Sequence, residues 1–323
     1  MCSTFSVDSL PDLTGRVYIV TGGNAGIGYE TIHGLASKGA TIYLCARSPS
    51  KATTAITTLR SKLQNPDAPI HPLPMDLMNL STIQTAVTTF LNRETSLHGL
   101  ILNAGIMCTP WEESTDGYEA HWQTNYIAHY LLTYLLLPVL KETAGRCEAG
   151  VVRIVELTSG AWQMAKGPGI WFDQVALRDK EPFDRYCQSK LANLLHVREL
   201  QRRVGPKGGE EEEEGRGEVW VAAVHPGLVE TGLSANYATT SILGRTLLKM
   251  GMGAPPDKGA LGTLFAVASN DFKRDWSGSY MVPTAKKGWT WRWANDKDLQ
   301  EKLWKWTEDQ LRWKGFLGTS DRA

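Results

Sequence analysis

Arg16-Val17-Tyr18-Ile19-Val20-Thr21-Gly22-Gly23-Asn24-Ala25-Gly26-Ile27-Gly28 is the stretch that decides how this chain folds. Its first five residues form a β-rich run, its glycines crowd the following turn, and Tyr29 to Lys38 then shows helical spacing. Strand, glycine turn and helix in that order let a backbone approach a pyrophosphate closely. The helix N-terminus adds free N–H groups and the positive end of its dipole. The pattern is T-G-x-x-x-G-x-G and not G-x-G-x-x-G, and it nominates Gly22, Asn24, Gly26, Ile27 and Gly28 as cofactor-binding residues.

Outward from this stretch, strands and helices alternate. A strand over Thr41 to Cys45 ends in Ala46-Arg47-Ser48, where an NAD-selective site would place a carboxylate for the ribose hydroxyls. Arg47, with Lys51 one helical turn on, suits a 2′-phosphate instead, so NADP(H) is the expected cofactor. A helix from about Ser50 to Leu63 follows. Ile70 to Leu77 reads as a strand whose two prolines, Pro72 and Pro74, confine it to a sheet edge. Leu97 to Leu102 is a fourth strand ending in Asn103-Ala104-Gly105. Asn125 is expected to open an apolar helix to Leu140, and Val151 to Leu157 is a buried strand that delivers Thr158-Ser159-Gly160. A sixth strand, Val219 to Val224, leads into His225-Pro226-Gly227-Leu228-Val229-Glu230-Thr231. The alternation predicts an α/β fold over residues 1–323 as a single domain, a doubly wound parallel sheet in the order 3-2-1-4-5-6-7.

Tyr186-Cys187-Gln188-Ser189-Lys190 opens a helix expected to run to Arg203, with Tyr186 and Lys190 on one face. A tyrosine ordinarily titrates near 10, so a fixed ammonium beside it favours the phenolate. The pair is a proton donor and acceptor in waiting, although Tyr and Lys also meet at this spacing by chance on solvated helices.

Composition narrows the function. Lysines and arginines number 34, as do aspartates and glutamates, so no net charge draws the chain to nucleic acid or anionic membrane. Five cysteines, with no Cys-x-x-Cys pair or neighbouring histidine, argue for a reducing compartment and no metal site. Met1 to Leu13 shows no basic region followed by an apolar run, and Tyr126 to Leu140 is too interrupted to span a bilayer; a cytoplasmic location is expected. Residues 204–218, with Glu210 to Glu214 in succession, read as a disordered acidic loop. Residues 288–316 hold six of the twelve tryptophans, and Leu299, Leu303, Trp306 and Trp313 suggest an apolar stripe that packs on the core or a partner.

Taken together, Thr21-Gly22 through Gly28, Asp76, Asn103-Ala104-Gly105, Asn125, Ser159, Tyr186 with Lys190, and Pro226-Gly227 with Thr231 resemble the short-chain dehydrogenase/reductase family. The resemblance spans about Asp12 to Val282. Tyr186-Cys-Gln-Ser-Lys-Leu-Ala-Asn with Arg198-Glu199-Leu200 is similar to the retinol-dehydrogenase and WW-domain-oxidoreductase branch, and Lys302-Leu-Trp-Lys-Trp-Thr-Glu to its fungal secondary-metabolite members. The resemblance implies a Rossmann-type fold and hydride transfer between NADP(H) and a carbonyl or alcohol carbon. It assigns proton transfer to Tyr186, orientation of the substrate oxygen to Ser159, and a water relay to Asn125. Lys190 would lower the Tyr186 pKa and bind the nicotinamide ribose. Asp76 would meet the adenine, Asn103 the adenosine-side ribose region, and Val229 and Thr231 the nicotinamide amide. The helices from Asn125 and Tyr186 would form a homodimer surface.

Ile106 to Trp111, Ala161 to Phe183 and Gly232 to Pro256 would line the substrate pocket, with Met107, Trp111, Trp162, Met164, Trp171, Phe172, Tyr237, Met250 and Met252 as its walls. Such walls suit a bulky apolar carbonyl compound or alcohol; the same residues equally suit loop anchoring. A retinoid- or lipid-type carbonyl reductase of general metabolism, a sugar-nucleotide epimerase and a non-catalytic NADP(H)-binding regulator are the alternatives. The glycine spacing opposes the epimerase, and the presence of Ser159, Tyr186 and Lys190 opposes the regulator.

Overall fold

A computed structural model describes residues 5–206, 217–230 and 253–318. Its eight strands form one sheet in the order β3-β2-β1-β4-β5-β6-β7-β8. They are β1 Val17–Thr21, β2 Thr41–Ala46, β3 Ile70–Pro74, β4 Gly99–Leu102, β5 Arg153–Leu157, β6 Trp220–Val224, β7 Ser279–Val282 and β8 Lys286–Lys287. All neighbours are parallel except β8, which returns antiparallel to β7. The expected order is present with this one short addition. β1, β5 and β6 are buried at every position because helices cover both faces. β3 buries only Ile70 and Leu73 and sits at the edge, where prolines remove no needed donor.

The side-chain alternation of β1 assigns the layers. Tyr18 and Val20 face α1 (Gly26–Ala36), α2 (Pro49–Lys62) and α6 (Pro256–Ala268). Val17 and Ile19 face α3 (Leu80–Leu91), α4 (Ala128–Arg146) and α5 (Pro182–Val204). Several boundaries differ from expectation. α1 begins inside the glycine turn at Gly26 and not at Tyr29. α5 begins four residues before Tyr186, at Pro182, whose fixed φ and missing N–H suit a first helical position. Asn125 does not open a helix: a short helix Ala120–Trp122 runs into a π-helical turn Gln123–Ile127 that contains it, and α4 continues from there. The acidic run Glu210 to Glu214 lies outside the described residues.

The C-terminal helix α7 (Lys297–Trp313) buries Leu303, Trp304, Thr307 and Leu311. Trp313, expected on the buried stripe, is 78% exposed, because the face that meets the core is set by the 303/304/307/311 spacing. Trp304 packs on the rings of Tyr130 and His196, with Arg203 stacked 4.3 Å above it. The Tyr126 hydroxyl meets that of Thr307 at 2.7 Å. α5 is consequently buried without interruption from Asp184 to Val197, and the face expected to meet a second chain is covered by the chain's own α7. Truncating Trp304, only 3% exposed, to alanine should cost about 3–5 kcal/mol. Urea unfolding of Trp304→Ala beside Trp313→Ala checks this, the latter expected within about 0.5 kcal/mol of the parent.

Candidate active site

Six strand ends, those of β1 to β6, meet at the carboxyl edge of the sheet, each continuing into a segment singled out in the sequence. Two cavities of about 370 and 340 Å³ run along this edge and share Gly22, Ala104 and Gly105. The first is reached by Gly26, Ile27, Asn103, Ser159, Tyr186, Lys190 and Val229. The second is reached by Asn24, Arg47, Lys51 and Asp76. Gly28 and Asn125 lie behind the walls, and Thr231 lies outside the described residues.

The glycine turn is shaped to receive a ligand backbone-first. Gly22 and Gly26 hold φ of +65° and +57°, a left-handed conformation that side chains disfavour. At Gly28 a Cβ would come within 2.5 Å of both the Gly22 carbonyl and Asn103 Nδ2. Ala25, at the start of α1, offers no side-chain acceptor to the first helical N–H groups, which remain for an anion. The residues present therefore fit a dinucleotide pyrophosphate.

Buried hydrogen bonds hold this turn to its neighbours. Asn103 Nδ2 donates to the Thr21 carbonyl at 2.8 Å, so its side chain clamps β1 to β4 while the residue lines the cavity. Thr21 Oγ1 accepts from the backbone of Asn103 and Ala104 at 2.9 and 3.0 Å, which fills its lone pairs. Its proton then goes to His129 Nε2, 3.0 Å away, and His129 Nδ1 donates to the Asn125 carbonyl at 3.1 Å. Burial drives this imidazole down to about 3, in keeping with a neutral ring. Asn125 in turn accepts from Ile106 N at 2.8 Å and donates to the Ile106 carbonyl and Ser189 Oγ. It sits against Gly105, where a Cβ would lie 3.2 Å from Asn125 Oδ1 and 3.6 Å from Lys190 Nζ.

Ser159, Tyr186 and Lys190 converge at the other end. The Ser159 and Tyr186 side chains line the same cavity, where the Ser159 hydroxyl favours the phenolate form of Tyr186. Lys190 Nζ donates to the Leu157 carbonyl at 2.9 Å and lies 5.9 Å from the centre of the Tyr186 ring. Burial raises the Tyr186 phenol well above its ordinary range, with Ser159 pulling it partly back. The expected lowering by Lys190 is not what this geometry gives, because the ammonium faces a backbone carbonyl and the ring. Lys190 itself is pushed down by burial to about 8, with Glu156 holding it up.

At the adenosine end Arg47 and Lys51 are exposed and, among the described residues, in no ion pair. Among those residues there is also no group of three His, Cys, Asp or Glu side chains able to hold a metal.

The substrate wall differs most from expectation. Met107 lines the first cavity, joined by Leu157, His225 and Leu228. Trp162 is fully buried in the core, edge-on to Tyr280. Trp171 and Phe172 instead form a shallow pocket with Leu299 and Lys302 of α7. Trp111 is held under the guanidinium groups of Arg178 and Arg185. Met164 is exposed away from the cavity, and Tyr237, Met250 and Met252 lie outside the described residues. Four of the six expected wall residues that are described thus serve as anchoring. Sequence reading gave His225 no role, although it followed a strand end directly. A buried clasp was also missed: Glu119 binds His121 Nδ1 at 2.6 Å and Arg185 Nε at 3.0 Å. Arg185 also reaches the Thr109 carbonyl, tying the loop after β4 to the residue beside Tyr186. Nothing in linear spacing joins positions 119 and 185.

Comparison with known proteins agrees with this geometry. A family model described as short chain dehydrogenase matches residues 16–169. The Aspergillus calidoustus protein "Short-chain dehydrogenase/reductase drtF" is 45% identical over 311 residues, 96% of this chain and 98% of that one. The chain belongs to the short-chain dehydrogenase/reductase family. Mouse retinol dehydrogenase 12 is 34% identical over 90% of this chain and 85% of its own, which supports the retinol-dehydrogenase-like branch. The crystal structure of an uncharacterized protein from Mycobacterium paratuberculosis superposes with a TM-score of 0.72 at 27% identity, covering 96% of this chain and 98% of that one. Nicotinamide dinucleotides are the cofactors of this family. In Gly28→Ala the added methyl must displace the Gly22 carbonyl, and calorimetry should show dinucleotide affinity reduced at least tenfold with the fold retained.

Proposed function

We propose that the chain interconverts a ketone or aldehyde with its alcohol on a lipophilic small molecule, using NADP(H). The observation that carries this is the convergence of Ser159, Tyr186 and Lys190 at one end of a glycine-cradled cavity whose remaining wall is largely apolar. The bound cofactor supplies or accepts the hydride. Tyr186, held protonated at neutral pH by its burial, is placed to give a proton to the substrate oxygen, which suits reduction. Ser159 orients that oxygen, and Lys190 keeps its charge below pH 8 for the ribose side of the site. Asn125, behind Gly105 and beside Lys190, is in position to support a water relay. Arg47 and Lys51 support a 2′-phosphate and therefore NADP(H).

Met107, Leu157 and Leu228 support an apolar substrate. The resemblance of Lys302-Leu-Trp-Lys-Trp-Thr-Glu to fungal secondary-metabolite members of the branch supports an intermediate of that metabolism as substrate. The relationship to a retinol dehydrogenase keeps a retinoid- or lipid-type carbonyl as the second reading. No described helix is long and apolar enough to cross a membrane; Cys45, Cys147 and Cys187 are free thiols, and these support a cytoplasmic location. With α7 over α5, homodimerisation would use the α4 surface around the half-buried Tyr134 and Leu135.

The test is NADPH consumption against a panel of apolar ketones, aldehydes and quinones. Turnover should fall about 100-fold or more in Tyr186→Phe. Measured NADPH binding with no turnover across the panel would favour a binding protein. Arg47→Ala should raise the KM for NADPH about tenfold and leave that for NADH unchanged; an intact preference for NADPH would refute the assigned role of Arg47.

A further inference from the structure

Behind the cavity, α5 and the end of β5 are joined residue by residue. Tyr186, Lys190, Asn193 and His196 fall on one face of α5, and each meets the 156–159 segment. Ser159 lines the cavity beside Tyr186, and Lys190 Nζ and Asn193 Nδ2 share the Leu157 carbonyl at 2.9 and 3.0 Å. Thr158 Oγ1 donates to the Lys190 carbonyl at 2.7 Å, and Glu156 Oε2 meets His196 Nδ1 at 2.8 Å. The last pair has no mechanistic role in the reading above, yet both side chains are no more than 1% exposed. A buried carboxylate is costly unless compensated. Its other oxygen, Oε1, has no hydrogen-bond partner, nor has His196 Nε2. A ring with its proton on Nδ1 satisfies the one contact made. Burial pushes the Glu156 carboxyl above its usual range, and His196 and then Lys190, on the next residue's carbonyl, pull it back towards the charged form.

We infer that Glu156, oriented by His196, is a positioning residue that sustains the ammonium form of Lys190 from the closed side of the sheet. This rests on the reading that Lys190 acts in the reaction. Lys190 is wholly buried and would shed its proton more readily without a nearby negative charge; Glu156 is the group that opposes this. The surroundings provide no substitute. From the π-helical turn and α4 the titratable groups are Tyr126, His129 and Tyr130, and His129 is a neutral ring facing Thr21 and Asn125. From α5 they are Tyr186 and His196, while α7 contributes Trp304 against the His196 ring and, further out, Glu308 towards Tyr130. The strand neighbours of Glu156, Leu102 on β4 and Ala223 on β6, are apolar. Glu156 is thus the carboxylate acting on Lys190 among the described residues.

The sign of the effect follows directly. Removing the negative charge lowers the pH at which Lys190 loses its proton. In Glu156→Gln the alkaline limb of kcat/KM for reduction should move to lower pH by about one unit. The second readout is the Lys190 ammonium itself, followed by NMR of the lysine-labelled cofactor-free protein and assigned by its loss in Lys190→Met. Its titration midpoint should fall by a similar amount. Because Glu156→Gln could unfold the chain by stranding His196, Glu156→Leu/His196→Phe serves beside it. That variant places an aromatic ring among Tyr126, Tyr130 and Trp304 and removes both polar groups, so its stability should match or exceed the parent. It should show the same displaced midpoint. A Lys190 midpoint unchanged in a folded variant overturns this inference. A displaced midpoint with an unmoved rate profile leaves it standing and instead refutes the catalytic reading of Lys190.

Discussion

Lys190 donates to the carbonyl of Leu157, and that single buried bond locates α5 against the last residues of β5. Everything reactive in the molecule is measured from it. One turn earlier on the helix it sets Tyr186 beside Ser159, and further on it sets Asn193 and His196 against Leu157 and Glu156. Because the helix is buried along its whole central length, the geometry is fixed by packing from several sides at once. The glycine turn after β1 is tied to the same framework by a different route: Thr21 to His129, His129 to the Asn125 carbonyl, and Asn125 to Ser189 on α5. The glycine turn and the helix that bears Tyr186 and Lys190 therefore belong to one hydrogen-bonded unit.

Burial gives this unit its chemical character. A phenol in a low-dielectric site stays protonated, and an amine in the same site is inclined to lose its charge. The structure shows both tendencies, with Tyr186 raised and Lys190 brought to about 8. The first suits donation of a proton to a carbonyl oxygen. The second would deprive the site of its cation in mildly alkaline conditions, and Glu156 is the opposing influence. The expectation that Lys190 simply lowers Tyr186 treats helix spacing as if it fixed where the ammonium points; its hydrogen bond to Leu157 shows that it does not.

The fold was legible because its signals are local. β-rich runs, a glycine turn at a strand-to-helix junction and prolines confined to one strand located six of the eight strands, and the family order supplied the seventh without a position. The residues that line the cavity were legible for the same reason, each standing at a strand end or on one helix turn. What was not legible depends on long-range burial. Trp162, Trp171 and Phe172 look like pocket walls in sequence, yet Trp162 fills the core and the other two seat α7. The π turn at Asn125 exists because its side chain holds the Ile106 backbone, a contact no periodicity reveals. Trp304 and Trp313 are alike in composition, and only the direction from which α7 approaches α4 and α5 makes the first an anchor and leaves the second exposed.

The central claim is that hydride leaves bound NADPH for a carbonyl carbon while Tyr186 protonates the oxygen. The most direct measurement is a single turnover with NADPH deuterated at the transferring position of the nicotinamide, followed by mass spectrometry of the alcohol formed from a lipophilic ketone. The account predicts one deuterium on the carbinol carbon with the parent protein and none with Tyr186→Phe under the same conditions. Deuterium that stays on the dinucleotide with every ketone and aldehyde offered, while the dinucleotide is demonstrably bound, would contradict it.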